Sequence, residues 1–234
     1  MKNLNISFRP LFMAFAFVMV ASAAFAQSRE SINVSSFDEL KVSNAFVVEI
    51  SVGSKESLEI EIEDRYRDDL IAEVRNGALV IALDNSSRNR RMRESPRAYV
   101  TVKSLNRINI SGAVTLKTLD VLETDRMNID MSGASVIRME VEVDDLYLEA
   151  SGACVITMEG LAENQFVKSS GATTYSAYDL ESKTADIRVN GAGSAKVSVS
   201  DELDVRASGA SSVKYRGNPR VSKSTSGASS VRKG

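Results

Sequence analysis

The tripeptide Ser-Gly-Ala recurs through this chain. Its glycine falls at Gly112, Gly133, Gly152, Gly171, Gly209 and Gly227, and Asn190-Gly191-Ala192 fills the one gap. Successive glycines stand 21, 19, 19, 20, 18 and 18 residues apart. Self-similarity at so short a period marks a stacked-repeat architecture, in which one unit cannot bury its own apolar face and neighbours must do it.

Alignment on the glycine shows what each unit is. Four residues before it stand Ile108, Ile129, Leu148, Val167, Ile187 and Val205; four after it stand Leu116, Ile137, Ile156, Tyr175, Ala195 and Val213. The odd offsets differ: three before the glycine come Asn109, Asp130, Glu149, Lys168, Arg188 and Arg206. Period-two alternation is the pattern of a strand with one buried face. The repeat is too short for paired helices or a propeller blade, and it fits one turn of a parallel β-helix stacked at about 4.8 Å. The fold class expected is therefore all-β: a single-stranded parallel β-helix, or solenoid, over residues 104–234. A glycine at one fixed station implies positive φ or close backbone approach. The preceding serines (Ser111, Ser132, Ser151, Ser170, Ser208, Ser226) are expected to form a ladder of hydroxyls. The last unit has Lys223, Thr225 and Lys233 at apolar stations, as a terminal cap would.

Residues 27–103 read as an N-terminal β-rich portion without the glycine period. Leu40, Val42, Phe46, Val48 and Ile50 lie in a strand-like stretch, and Leu58, Ile60 and Ile62 alternate with acids. Asn76-Gly77 between two apolar runs predicts a tight hairpin. A short helical turn is expected near Asp68-Asp69-Leu70, and an exposed loop from Asn85 to Pro96.

Residues 1–26 have the layout of a cleaved signal peptide. Lys2 and Arg9 precede an apolar run from Leu11 to Val20, and Ala24-Phe25-Ala26 supplies the small-residue cleavage site. The run is about half the length needed to span a bilayer. A soluble chain in the periplasm or outside the cell is expected. Two of the 29 Lys and Arg lie in this segment, which leaves 27 against 31 acids, a mild acidic balance that attracts neither nucleic acid nor anionic membrane globally. Cys154 is the single cysteine, so no internal disulfide is available. Histidine, the commonest general base and transition-metal ligand, is absent, as is tryptophan.

The residues also carry a family resemblance. Phe37-Asp38-Glu39-Leu40-Lys41-Val42, Phe46-Val47-Val48-Glu49-Ile50, Asn76-Gly77-Ala78-Leu79-Val80-Ile81, the repeated Ser-Gly-Ala turns and the identical Ser208–Val213 and Ser226–Val231 segments resemble the family known as "putative auto-transporter adhesin, head GIN domain". The resemblance spans nearly all of the chain after the signal segment. It implies a pectin-lyase-like β-helix of right-handed type and a role in adhesion, and it transfers no catalytic residue.

Candidate chemistry was weighed against structural roles. Cys154 falls in a small inward column with Ser135, Thr173, Ser211 and Ser229 and no base beside it, so it reads as structural. Six equivalent serines read as scaffold rather than nucleophile. Asp68-Asp69 and Asp144-Asp145 lack the spacing of a calcium loop; no metal and no cofactor are expected. Tyr175 falls in the inward column, whereas Tyr147 and Tyr178 fall off it and could contribute to a sugar patch. The densest basic patch, Arg88, Arg90, Arg91, Arg93 and Arg97, is the speculative binding site, suited to an acidic envelope polymer or anionic partner and poor in the aromatic residues that single-stranded nucleic acid needs.

The reading is a non-enzymatic exported envelope or surface protein with an adhesion or ligand-presenting role. The alternatives are a polysaccharide-lyase type of enzyme or a purely structural or stress-linked envelope protein. The partner is open: an envelope polysaccharide, a surface protein or, through exposed solenoid ends, a second copy.

Overall fold

A computed structural model describes residues 29–84 and 93–234. The segment read as a signal peptide, and Arg88, Arg90 and Arg91 of the basic patch, lie outside the described residues. Among the described residues seventeen strands, β1–β17, join through the backbone into one continuous ladder, a β-solenoid of about seven turns.

The repeat explains the ladder. Long strands β10 (Leu122–Gly133), β11 (Val136–Gly152), β12 (Val155–Gly171), β13 (Thr174–Gly191) and β14 (Ser194–Gly209) each run almost a full turn. Each pairs in parallel with the next, and the glycines fall directly on one another: Gly112, Gly133, Gly152, Gly171, Gly191 and Gly209. We call the run before each glycine limb A and the run after it limb B. Their inward side chains meet in one core. In the β11 turn these are Ile137, Met139, Val141 and Val143 from limb B and Leu146, Leu148 and Ala150 from limb A, all buried. Each buried aliphatic side chain contributes roughly 1.5–3 kcal/mol relative to exposure, and it does so only because the turns above and below complete its surroundings.

The glycine station is set by backbone crowding. Gly133 has φ 94° and a Cβ added there would lie 2.4 Å from the Gly112 carbonyl oxygen. That oxygen accepts a hydrogen bond from Ala134 N at 2.8 Å, so it cannot move away.

Of the expected ladder the serine column before the glycine forms one rung-to-rung side-chain link among the described residues, Ser208 Oγ donating to Asn190 Oδ1 at 2.7 Å. Ser132 Oγ and Ser151 Oγ instead donate to the carbonyls of Ile110 and Met131 in the turn below, each at 3.4 Å. Two residues after the glycine, the inward hydroxyls close the bend. Thr173 Oγ1 donates to Ser170 O at 3.3 Å and Ser211 Oγ to Ser208 O at 3.0 Å. Cys154 takes the same station, buried and free, with Sγ 3.5 Å from Ser151 O. One polar chain crosses the core: Tyr175 Oη donates to Gln165 Oε1 (2.9 Å), Gln165 Nε2 to Ser182 Oγ (2.8 Å), and Ser182 Oγ to Ser198 O (2.8 Å). Burial pushes the Tyr175 phenol far above its ordinary range, so it stays a neutral donor.

The stack begins earlier than the Ser-Gly-Ala spacing indicates. β2 (Glu39–Asn44) and β3 (Val47–Val52) pair in parallel with β8 (Arg107–Gly112) and β9 (Thr115–Thr118), and Asn44 sits on Gly112. Asn44 adopts φ 73°, the conformation of the glycines above it. β6 (Ala78–Leu83) and β7 (Arg97–Val102) continue the two limbs below. The Asn76-Gly77 hairpin joins β5 (Leu70–Arg75) to β6 with φ of 51° and 79°, as a two-residue primed turn requires. A 3-10 turn at Asp64–Asp69 precedes it, ending where the short helical turn was expected. β4 (Ser57–Glu61) pairs antiparallel with β7, and β1 (Arg29–Ile32) pairs antiparallel with β4. At the other end, β15 (Ser212–Arg216), β16 (Arg220–Thr225) and β17 (Ser230–Lys233) form the last rungs, with Lys223, Thr225 and Lys233 exposed.

Candidate functional site

The limb A register runs unbroken from rung to rung, so outward residues at one offset become columns. Nearest the glycine is the serine column. Beyond it stand Lys41, Asn109, Asp130, Glu149, Lys168, Arg188 and Arg206 in register. A third column holds Arg107, Asn128, Tyr147, Phe166, Asp186 and Asp204.

Because serine is short, the first column is a trough. An open groove of about 620 Å³ runs over Ser43, Ser111, Ser132, Ser151 and Ser170, walled by Lys41, Asn109, Asp130, Glu149 and Lys168. A second groove, of about 370 Å³, runs between the outer two columns from Arg107 and Asn128 past Tyr147 and Phe166 to Asp186 and Arg188.

Most charges on this face are neutralised at short range. Lys168 Nζ lies 3.1 Å from Glu149 Oε1 on the rung below. Arg188 grips Asp186, two residues back on the same strand, through Nε at 3.2 Å and Nη2 at 2.8 Å; Arg206 holds Asp204 through Nη2 at 3.2 Å. Asn109 Nδ2 donates to Glu39 Oε1 at 2.6 Å. Asp130 lines both grooves and holds no such partner among the described residues. Tyr147 and Phe166 stack at 4.7 Å between centroids and 9° between planes. The rings cover each other's faces, so the pair presents edges and the remaining face of Phe166, which is 38% exposed. The face can therefore supply hydroxyls, paired charges, one unpaired carboxylate and a narrow apolar edge, along a line several rungs long. That equipment suits recognition of an extended polar surface.

Of the basic patch, only Arg93 and Arg97 are described. Arg97 opens β7 opposite Glu61 of β4. Arg93 N donates to Glu63 Oε1 at 2.8 Å, and this bond, with Arg65 Nη2 at 2.8 Å, holds the Glu63 carboxyl below the usual carboxylate range. Both arginines are exposed beside acids at the N-terminal end, apart from the limb A grooves. Asp145 is bound by Arg126 Nη2 at 3.2 Å and by Asn164 Nδ2 at 3.0 Å, a cross-rung tie. Tyr175 is inward as expected, and Tyr147 and Tyr178 are half-buried on the outside. Phe166 was missed by a reading that looked for tyrosine and tryptophan. Its equal offset to Tyr147, five residues before a repeat glycine, was the available signal.

Among the described residues no helix is long and apolar enough to cross a membrane. The sequence model of the family described as "Putative auto-transporter adhesin, head GIN domain" matches residues 36–219. Three crystal structures are similar. One, described as a putative adhesin from Bacteroides fragilis, superimposes with TM-score 0.83 at 19% identity over 88% of this chain and 96% of that one. Another, described as a putative lipid binding protein from Parabacteroides distasonis, gives 0.70 at 20% identity over 88% and 96%. A third, described as a putative adhesin from Parabacteroides merdae, gives 0.68 at 16% identity over 88% and 95%. At these identities the likeness establishes the solenoid fold. No curated protein matches the chain.

Proposed function

The chain belongs to the head GIN domain family of putative auto-transporter adhesins, and from that premise we propose that it is an exported, non-enzymatic envelope or surface protein that presents the limb A face to an extended polar ligand, an envelope polysaccharide first of all. The observation that carries this reading is the pair of grooves on limb A, aligned in register over five rungs and lined by hydroxyls, paired charges and the Tyr147–Phe166 edge. Rigid spacing is what an adhesive scaffold supplies: the side chains are positioned before contact, so little ordering cost is met on binding. Export is supported by the layout of residues 1–26 and places the protein in the periplasm or at the cell surface.

The test is binding of the purified protein to an array of glycans, envelope polymers and phospholipid vesicles, with and without calcium. Saturable binding to a glycan, weakened about five- to tenfold by Phe166→Ala with the melting temperature unchanged, is the expected result. Release of unsaturated sugar products would replace the reading with a lyase. Binding confined to vesicles, or no binding to any member of the array, would remove the polysaccharide reading.

A further inference from the structure

Limb B carries a second outward pattern. Three successive rungs present Ser194-Ala195-Lys196, Ser212-Val213-Lys214 and Ser230-Val231-Arg232. Strand pairing stacks them in direct register, Ser194 on Ser212 on Ser230 and Lys196 on Lys214 on Arg232. Ala195 and Val213, the middle residues, are buried, so hydroxyl and cation both face outward. One hydroxyl and one cation thus repeat at the strand spacing of about 4.8 Å.

Like charges directly opposed on neighbouring strands destabilise a sheet. On limb A the chain relieves them, with Glu149 at Lys168, Asp186 at Arg188 and Asp204 at Arg206. Low on limb B it does the same, with Lys117 Nζ 3.1 Å from Glu49 Oε1, but on the three rungs of the comb it does not. Among the described residues none of Lys196, Lys214 and Arg232 is in an ion pair. The acids beside this column, Glu140, Glu159, Asp179 and Glu181, stop on the rung below that of Lys196. The sequence has no Asp or Glu after Asp204. Arg216 widens the patch, its guanidinium 4.0 Å over the Tyr178 ring, while Lys196 Nζ lies 6.0 Å from the same ring.

We propose that this cationic comb is a binding site for a linear acidic polysaccharide, independent of the limb A grooves. Each rung offers one cation to a sugar carboxylate and one hydroxyl to the adjoining ring oxygens, and the rung spacing is comparable to the length of one sugar residue in an extended glycan. The surroundings select this polyanion over others. An anionic membrane is held by apolar insertion as well as charge, and the exposed large apolar side chains of the described residues, Val52, Leu119, Val136, Val155, Leu161 and Phe166, all lie on lower rungs. Single-stranded nucleic acid needs open aromatic faces, and Arg216 covers that of Tyr178.

The experiment uses polygalacturonate, its fully methyl-esterified form and anionic phospholipid vesicles as probes of the intact protein. Polygalacturonate is expected to bind, with affinity falling as salt is added, and the neutral ester to bind at least about tenfold more weakly. The triple variant K196Q/K214Q/R232Q is expected to lose about tenfold or more in polygalacturonate affinity, whereas R75Q/K103Q, which removes two cations paired with Glu73 and Glu56 at the N-terminal end, changes it less than about twofold. Circular dichroism and melting temperature check the fold; if the triple variant does not fold, K214Q alone is read, with a loss of about threefold expected. Equal binding of the neutral ester, wild-type affinity in the comb variants, or binding to vesicles but not to polygalacturonate each overturns the proposal. The limb A reading is tested by a different variant, Phe166→Ala, and on the glycan that the array selects, so failure here and failure of that reading are separate results.

Discussion

At the scale of single residues, the fold rests on a column of backbone conformations that side chains can only spoil. Gly152 has φ 102°, and a Cβ there would meet the Gly133 carbonyl oxygen at 2.3 Å. Positive φ alone costs an L-residue about 1–2 kcal/mol, and the contact adds to it. Asn44 holds the same station at the bottom of the column, where β6 ends and no further glycine lies beneath, so its Cβ has room. Its Oδ1 accepts a hydrogen bond from Leu83 N at 2.9 Å and its carbonyl accepts one from Ala113 N at 2.7 Å. Asparagine is the residue that tolerates the left-handed region and binds backbone from it. The expected order of destabilisation is Gly152→Ala above about 2 kcal/mol, Asn44→Ala about 1–2 kcal/mol, and Asn44→Gly least, since glycine keeps the conformation and loses only the side-chain bond. Urea unfolding of the three variants checks the order. Wild-type stability in Gly152→Ala would mean that the column tolerates a side chain and that the repeat glycine has another cause.

At the scale of elements, each limb is a strand whose inward side chains meet equivalents one rung away. This was the legible part of the sequence. Alternation fixed Ile137, Ile156 and Tyr175 inward, and it put Lys223 and Thr225 where Val205 and Ala207 stand one rung earlier. Two things were hidden. The rung below Gly112 carries Asn44 instead of glycine, and the strands beneath it, β6 and β7, belong to a chain path without the period, so the spacing count starts two rungs late. Limb B absorbs the variation in repeat length in bulges between Thr157 and Glu159, between Ala177 and Glu181 and between Ser182 and Thr184, which no fixed offset anticipates. Of the site, the charged column was legible, but its pairing was not, because Arg188 and Arg206 find acids on their own strands rather than across rungs. The triplets of limb B were equally plain in the sequence, yet their meaning depends on register and on missing counter-charges. The element picture makes a paired prediction. Removing residues 134–152 takes out β11 and brings Gly133 onto Gly171, a contact of the kind made everywhere else, so the shortened protein is expected to melt cooperatively. Ile156→Asp puts a carboxylate at a fully buried station and is expected to cost more than about 4 kcal/mol. Calorimetry of both checks the core register, and a shortened protein less stable than Ile156→Asp would show that the rungs are not interchangeable.

At the scale of the whole molecule, a solenoid must end, and its two ends are finished differently. The N-terminal end turns its last strands antiparallel, with β5 on β6 and β1 on β4. The C-terminal end stays parallel and becomes polar instead: Lys223 stacks on Val205, Thr225 on Ala207 and Lys233 on Tyr215. Cations at stations that point inward elsewhere, with Pro219 leading into β16, are the devices that keep an open sheet edge from adding another sheet. They act against the edge rather than for the fold, since apolar side chains would cover the rung below at least as well. The triple variant K223V/T225V/K233V is therefore expected to be no less stable than the wild type, yet to associate through its ends, with mass rising with concentration in size-exclusion chromatography with light scattering while the wild type stays constant. The three residues are separate from Lys196, Lys214 and Arg232, so polygalacturonate binding serves as an internal standard. Association with that binding retained would assign the end rung to solubility and the limb B face to recognition. A variant that stays monomeric would show that the end rung does not join two solenoids even with apolar cover, and that its cations are not what keeps the wild type apart.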